Sequence, residues 1–168
     1  VIEEKKIFDI SYNKIEILIH PKSYVHALIK FNNGLIKILA HDTTMKIPLF
    51  NTLFFNTKKK IRSKKLDINV LNNLSFEKVN PKRYPMIKLL NFLPNKTSLF
   101  ETIIVSANDT LVELFLDKKI KYTDIQKKLF KFIKLKEFLK YKKKHPVNVK
   151  EIIDLNNYVR FKIIKKSV

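Results

Sequence analysis

The sequence predicts an α+β fold: a small sheet built around a hairpin, followed by a C-terminal α-helical bundle. Three observations carry this expectation. Apolar, β-branched runs crowd the stretch from Ile15 to Leu39 and are broken by His20-Pro21 and Asn33-Gly34, the punctuation of strands and of a hairpin. From Leu111 onward the apolar residues recur at helical spacing: first Leu111, Val112, Phe115 and Leu116, then Ile125, Leu129, Phe132, Ile133 and Leu139 on one shared face. Between the two patterns, Asn56 to Lys65 is mostly Lys with Asn, Thr, Arg and Ser, the composition of an exposed connector.

Taken in order, Val1 to Phe8 has helix-like composition with no capping residue in front of it. Val1 is not an initiator Met, which suggests a chain cut from a longer one. Ile15 to Ile19 and Tyr24 to Phe31 read as strands, and Leu35 to Leu39 returns after Asn33-Gly34 to close the hairpin. His41 to Pro48 reads as a loop leading into the apolar run Leu49 to Phe55. Leu66 to Phe76 fits either strand or loop, and Asn80 to Pro85 is a turn before a helix that starts near Met86. Ser106 or Asn108 would cap the helix bearing Leu111, while Thr123 and Asp124 would cap another from Ile125 to about Tyr141. Pro146 ends that helix, and Val149 to Ile164 forms the last. The domains expected are residues 1–55, a basic linker over residues 56–80, and a helical domain over residues 81–168.

A chain of 168 residues at 45% hydrophobic can bury a real core. It holds no Cys, which removes disulfides, thiolate metal sites and a Cys nucleophile. No apolar run approaches the ~18 residues of a membrane span, and Glu3, Glu4, Lys5 and Lys6 interrupt any signal-peptide pattern, so a cytoplasmic protein is expected. The formal charge of +20 points to a polyanion partner, and a lysine-rich nucleic-acid-binding protein is the alternative function. Yet only three of the 35 basic residues are Arg (Arg62, Arg83, Arg160), and Lys lacks the planar fork that reads guanine. Lys, Asn, Ile, Phe and Tyr share A/T-rich codons, so genome bias accounts for the charge without such a partner.

A single glycine rules out both Gly-x-Gly-x-x-Gly and a P-loop. His20 and His26 lie six residues apart, about 20 Å if extended, too far to share a metal unless Pro21 folds the chain back. By residue type alone, each is a hydrogen-bonded structural histidine sooner than a catalyst. Asp109 and Glu113 form an exposed i,i+4 acidic pair. The run from Lys127 to Lys144 interleaves lysines with Phe130, Phe132, Phe138 and Tyr141, resembling a base-stacking surface, but the helical spacing makes most of these rings core.

At His20-Pro21-Lys22-Ser23-Tyr24-Val25-His26 the sequence resembles the 1-deoxy-D-xylulose 5-phosphate reductoisomerase family, whose members carry His-Pro-Gln-Ser-x-x-His. Glu16 to His20 is similar to the family's Glu-Val-x-Ile-His strand, Asn33-Gly34 to its Asp-Gly turn, and Met45-Lys46-Ile47-Pro48 to its Asp-Met-Arg-x-Pro-Ile segment. Lys64 to Asp67 resembles Lys-Pro-Leu-Asp, Arg83 to Leu89 resembles Arg-Tyr-Pro-Cys-Leu-Lys-Leu, and Ser106 to Asp109 resembles Ala-Ala-Asn-Glu. These follow the family's order from Val1 to about residue 140.

The resemblance implies an NADPH-dependent enzyme, requiring Mg or Mn, that rearranges and reduces a sugar phosphate to 2-C-methyl-D-erythritol 4-phosphate for isoprenoid biosynthesis. It implies a homodimer too. The chain would span the end of an α/β catalytic domain, the linker and the C-terminal bundle. His26 matches the family's active-site histidine, Ser23 lies beside it, and Met45 matches a methionine lining the nicotinamide and substrate region. The family's metal carboxylates and cofactor domain fall before Val1, so no metal ligand is assigned here and this chain alone is expected to be inactive. His41-Asp42-Thr43-Thr44-Met45 departs from the family's Gly-x-Pro-Asp-Met, and Lys22 replaces its Gln.

Overall fold

The computed structural model describes residues 1–167. Its elements in chain order are α1 (Ile2–Phe8), β1 (Leu18–Ile19), β2 (Val25–Lys30), β3 (Ile36–Ala40), α2 (Lys46–Leu53), α3 (Ile68–Asn72), β4 (Glu77–Lys78), α4 (Leu99–Leu116), α5 (Tyr122–Ile133), α6 (Lys136–Leu139) and α7 (Val149–Ser167). Short 3-10 turns occupy Tyr12–Lys14, Pro85–Phe92 and Lys140–Lys143. The α+β class is the one expected. The chain divides into a helical unit, made of Val1–Glu16 and the chain from Asn80 onward, and a sheet unit, Ile17–Val79. The helical unit starts one residue before the expected helical domain of residues 81–168 and also takes in Val1–Glu16, while no division falls at 55.

In the helical unit, α4 is the central element and packs against α5 and α7. Leu99, Phe100, Ile103, Ile104, Ala107, Leu111 and Leu114 line its buried stripe; Ile125, Leu129, Phe132 and Ile133 supply that of α5, and Leu155, Val159 and Ile163 that of α7. Each set repeats at three- and four-residue intervals, so one side of each helix meets the core; the lysines of α5 and α7 lie off that side, whereas α4 carries none. Arg160 of α7 grips both carboxylate oxygens of Glu113 on α4, at 2.7 and 2.6 Å, which gives the latter a basic partner on another helix.

Helix starts differ from expectation. The N-cap of α4 is Ser98: its Oγ accepts from Phe100 N–H at 3.3 Å, and Glu101 Oε2 accepts from Ser98 N–H at 3.4 Å, forming a capping box. Ser106, an expected cap, lies inside the helix and is buried. For α5, Asp124 accepts from Lys121 N–H at 3.0 Å, so it serves the first turn from within. The expected single helix to Tyr141 stops at Ile133, because Leu135 is extended (φ −62°, ψ 135°) and redirects the chain into α6. That break buries Phe138 completely, with its ring centroid 4.5 Å from that of Phe132, and leaves Leu139 at the surface instead of on the shared face. Near Met86 the chain forms a 3-10 turn, not an α-helix.

In the sheet unit, β2 and β3 form the antiparallel hairpin, with Leu28 opposite Ile38 and Lys30 opposite Ile36. Gly34 at φ +87° closes its loop: Gly34 N–H donates to Phe31 O at 3.0 Å and Phe31 N–H to Leu35 O at 2.9 Å. That left-handed backbone is the reason for glycine here. The expected strand from Ile15 shrinks to β1, which pairs antiparallel with β4. His41 to Met45 lies outside any helix, but Lys46–Leu53, the end of the expected loop and most of the apolar run, forms helix α2; Pro48 sits in its first turn, where the missing N–H costs nothing. Part of Leu66 to Phe76 forms the short α3, capped by Asp67. No residue of this unit is fully buried, and Leu28, Ile29, Ile36, Ile38 and Leu39 all expose large apolar side chains.

Candidate functional site

The site lies where β1 turns into β2. Ser23 N–H donates to His20 O at 3.0 Å, closing a turn over Pro21, whose ring presets φ for that position. Ser23 itself sits at φ +49°, a left-handed backbone uncommon for a residue with a Cβ. His20 is structural: its Nδ1–H donates to Ser75 O at 2.8 Å, and its ring lies 5.0 Å from that of Phe76. Those contacts hold the end of β1 to the segment entering β4.

His26 has a different position. Val25 pairs with Ala40 and Ala27 with Leu39, so two steps along β2 match one along β3, and His26 is the extra residue of a β-bulge. Bulges remove a residue from the ladder and re-aim its side chain. Here the His26 ring stacks on His41, just beyond β3, with centroids 3.7 Å apart and planes 13° from parallel. His26 Nε2 also faces the His41 carbonyl at a long 3.4 Å. A carbonyl only accepts, so Nε2 meets it as a hydrogen bond only when that nitrogen carries a proton.

His41 is held from several sides. Its backbone N–H donates to Tyr24 O at 3.1 Å, extending the hairpin pairing by one residue, and its Nδ1–H donates to Asp42 O at 2.6 Å. Asp42 Oδ2 in turn accepts from Lys64 N–H at 3.0 Å, anchoring the basic connector to this loop. Ser23 and Met45 are both exposed, one three residues before His26 and the other at the N-cap of α2; no hydrogen bond joins either to His26 among the described residues. Residue type and family resemblance passed over His41. No local pattern marked it: the bulge shifts the hairpin register, and that shift carries the residue after Ala40 across to Tyr24 and hence beside His26.

Among the described residues no three His, Asp or Glu side chains gather to hold a metal ion. The donor set here is two stacked imidazoles and one carboxylate already engaged by a backbone N–H, so these residues do not fit a divalent-metal site. Of the four rings in the lysine-rich stretch of the helical unit, Phe132 and Phe138 are buried and Phe130 and Tyr141 are half-buried against the core. A base-stacking platform needs exposed ring faces, so Phe132 and Phe138 cannot serve in one. No helix among the described residues is long and apolar enough to cross a membrane.

The family model for the DXP reductoisomerase C-terminal domain matches residues 41–162. A 1-deoxy-D-xylulose 5-phosphate reductoisomerase from Pelagibacter ubique is 57% identical over all 168 residues, which correspond to 43% of that protein. One from a Sulfurihydrogenibium species is 33% identical over 76% of this chain and 34% of its own length. Among solved structures, a reductoisomerase from Zymomonas mobilis in complex with NADPH superposes with a TM-score of 0.79 at 25% identity, over 99% of this chain and 43% of that one. A reductoisomerase bound to fosmidomycin and magnesium reaches 0.85 at 24% identity, over 99% of this chain and 42% of that one. The chain thus spans less than half the length of the relatives it matches.

Proposed function

Because this chain belongs to the 1-deoxy-D-xylulose 5-phosphate reductoisomerase family, we propose that it forms the C-terminal part of an NADPH-dependent enzyme that rearranges and reduces that sugar phosphate. The product in this proposal is 2-C-methyl-D-erythritol 4-phosphate, the metal Mg or Mn, the assembly a homodimer and the compartment the cytoplasm. His26 supports the reading: it is a histidine lifted out of the strand ladder by a bulge and held on one face, and its His20-to-His26 motif resembles the one in which the family's active-site histidine stands.

In this proposal His26 orients substrate, with Ser23 and Met45 flanking it from the corner before β2 and the start of α2. The sheet unit supplies one wall. Its exposed apolar hairpin buries no residue by itself, and two strands alone are marginal in water, so the remainder of a catalytic domain is its natural cover. Metal and NADPH binding are assigned to that remainder, since neither a carboxylate cluster nor a glycine-rich turn lies among the described residues.

The test is NADPH oxidation by the complete protein carrying this chain, supplied with 1-deoxy-D-xylulose 5-phosphate and either Mg or Mn. Turnover dependent on both additions is expected, and His26→Gln should lower kcat about 100-fold by misplacing the substrate. No substrate-dependent oxidation would refute the assignment, whereas unchanged turnover in the variant would remove only the role of His26.

A further inference from the structure

Resting on that reading of His26, we infer that His41 is a positioning residue, a flat lid that fixes the plane of the His26 imidazole. The bulge frees His26 from the ladder, which alone would leave its ring to sample several rotamers. Stacking at 3.7 Å and 13° confines one face of the ring, and the His41 carbonyl lies 3.4 Å from Nε2 at its edge.

His41 can act as a lid because it is itself fixed. Its backbone is paired to Tyr24, its Nδ1–H to Asp42 O, and Asp42 is tied through Oδ2 to Lys64. The loop holding the lid is thus fastened to the hairpin and to the connector. This chain has His where its resemblance to the family sets a Gly, which has no ring to stack.

The experiment compares His41→Ala, which removes the ring, with His41→Phe, which restores a flat ring but no imidazole, in the complete protein labelled with 15N and 13C at histidine. In His41→Ala the ring-current displacement of the His26 carbon-bound protons should vanish and kcat should fall about tenfold with KM nearly unchanged. His41→Phe should recover both. Loss of the ring-current signature with kcat unchanged overturns the inference, and so does a kcat loss that His41→Phe fails to rescue. Should His26→Gln leave kcat at the wild-type value while His41→Ala still abolishes the signature, the stack is real and the parent assignment of His26 is what fails.

Discussion

The Tyr12 hydroxyl donates to Glu101 Oε1 at 2.5 Å, joining residues 89 positions apart. Glu101 is buried at the first turn of α4, where it also caps Ser98 N–H and receives the Lys6 ammonium at 2.6 Å. A carboxylate belongs at a helix N-terminus, where unpaired N–H groups and the macrodipole favour negative charge. One side chain therefore fastens the segment from α1 to Tyr12 onto the helical unit.

Tyr12→Phe should cost about 1.5 kcal/mol at neutral pH, the worth of a hydrogen bond to a charged group. Burial first, then the Glu101 carboxylate, pushes the Tyr12 hydroxyl above its ordinary value of 10.0. The folded state thus holds this proton more tightly than the unfolded one, so the contribution is full below pH 10.0 and lost as pH rises beyond it. Urea denaturation of both proteins should show the gap narrowing only above that pH; a gap that persists unchanged would refute the bond's role.

Ser98→Ala should lower stability by about 1 kcal/mol through loss of the cap on α4. Ser106→Ala should cost less, because Ser106 lies mid-helix and caps nothing. Thermal unfolding of the two variants, run side by side, checks the helix start; the reverse order would place it wrongly.

Phe138→Ala should cost about 3–5 kcal/mol, since the ring is wholly enclosed and stacks obliquely on Phe132. Leu139→Ala, at a surface position, should cost under about 1.5 kcal/mol. Had one helix continued to Tyr141 with Leu139 on its core face, Leu139 would be the sensitive position. Chemical denaturation therefore tests the break at Leu135.

Glu137→Gln should weaken the helical unit slightly at neutral pH and not at all in acid. Partial burial raises the Glu137 carboxyl, but the Tyr158 hydroxyl and then Lys162 outweigh it and hold the group below its ordinary 4.5. A depressed carboxyl stabilises above that value and loses its effect as pH falls through the folded one. Because the pair is solvent-screened, the effect is small. Unfolding midpoints whose separation does not shrink as pH falls below 4.5 would contradict this assignment.

The legible elements were those with a strong local pattern. The hairpin followed from apolar runs broken at Asn33-Gly34, and the buried face of α5, Leu139 apart, followed from its periodicity. The start of α4 was also legible as Ser98-x-x-Glu101, yet the apolar rhythm around Leu111 drew attention too far downstream. Helix α2 was hidden by Pro48, whose breaking effect holds in a helix interior and not in its first turn.

At the site, residue order alone established that Pro21 turns the chain and that His26 follows in a strand, and the family motif marked the same histidine. The bulge, the stack on His41 and the closure of Glu101 on Tyr12 and Lys6 were decided by tertiary structure. Periodicity reports which side of an element faces inward, a property of neighbours within a few residues. Register across a hairpin and contact across 89 residues depend on where separate segments come to rest, which no local pattern encodes.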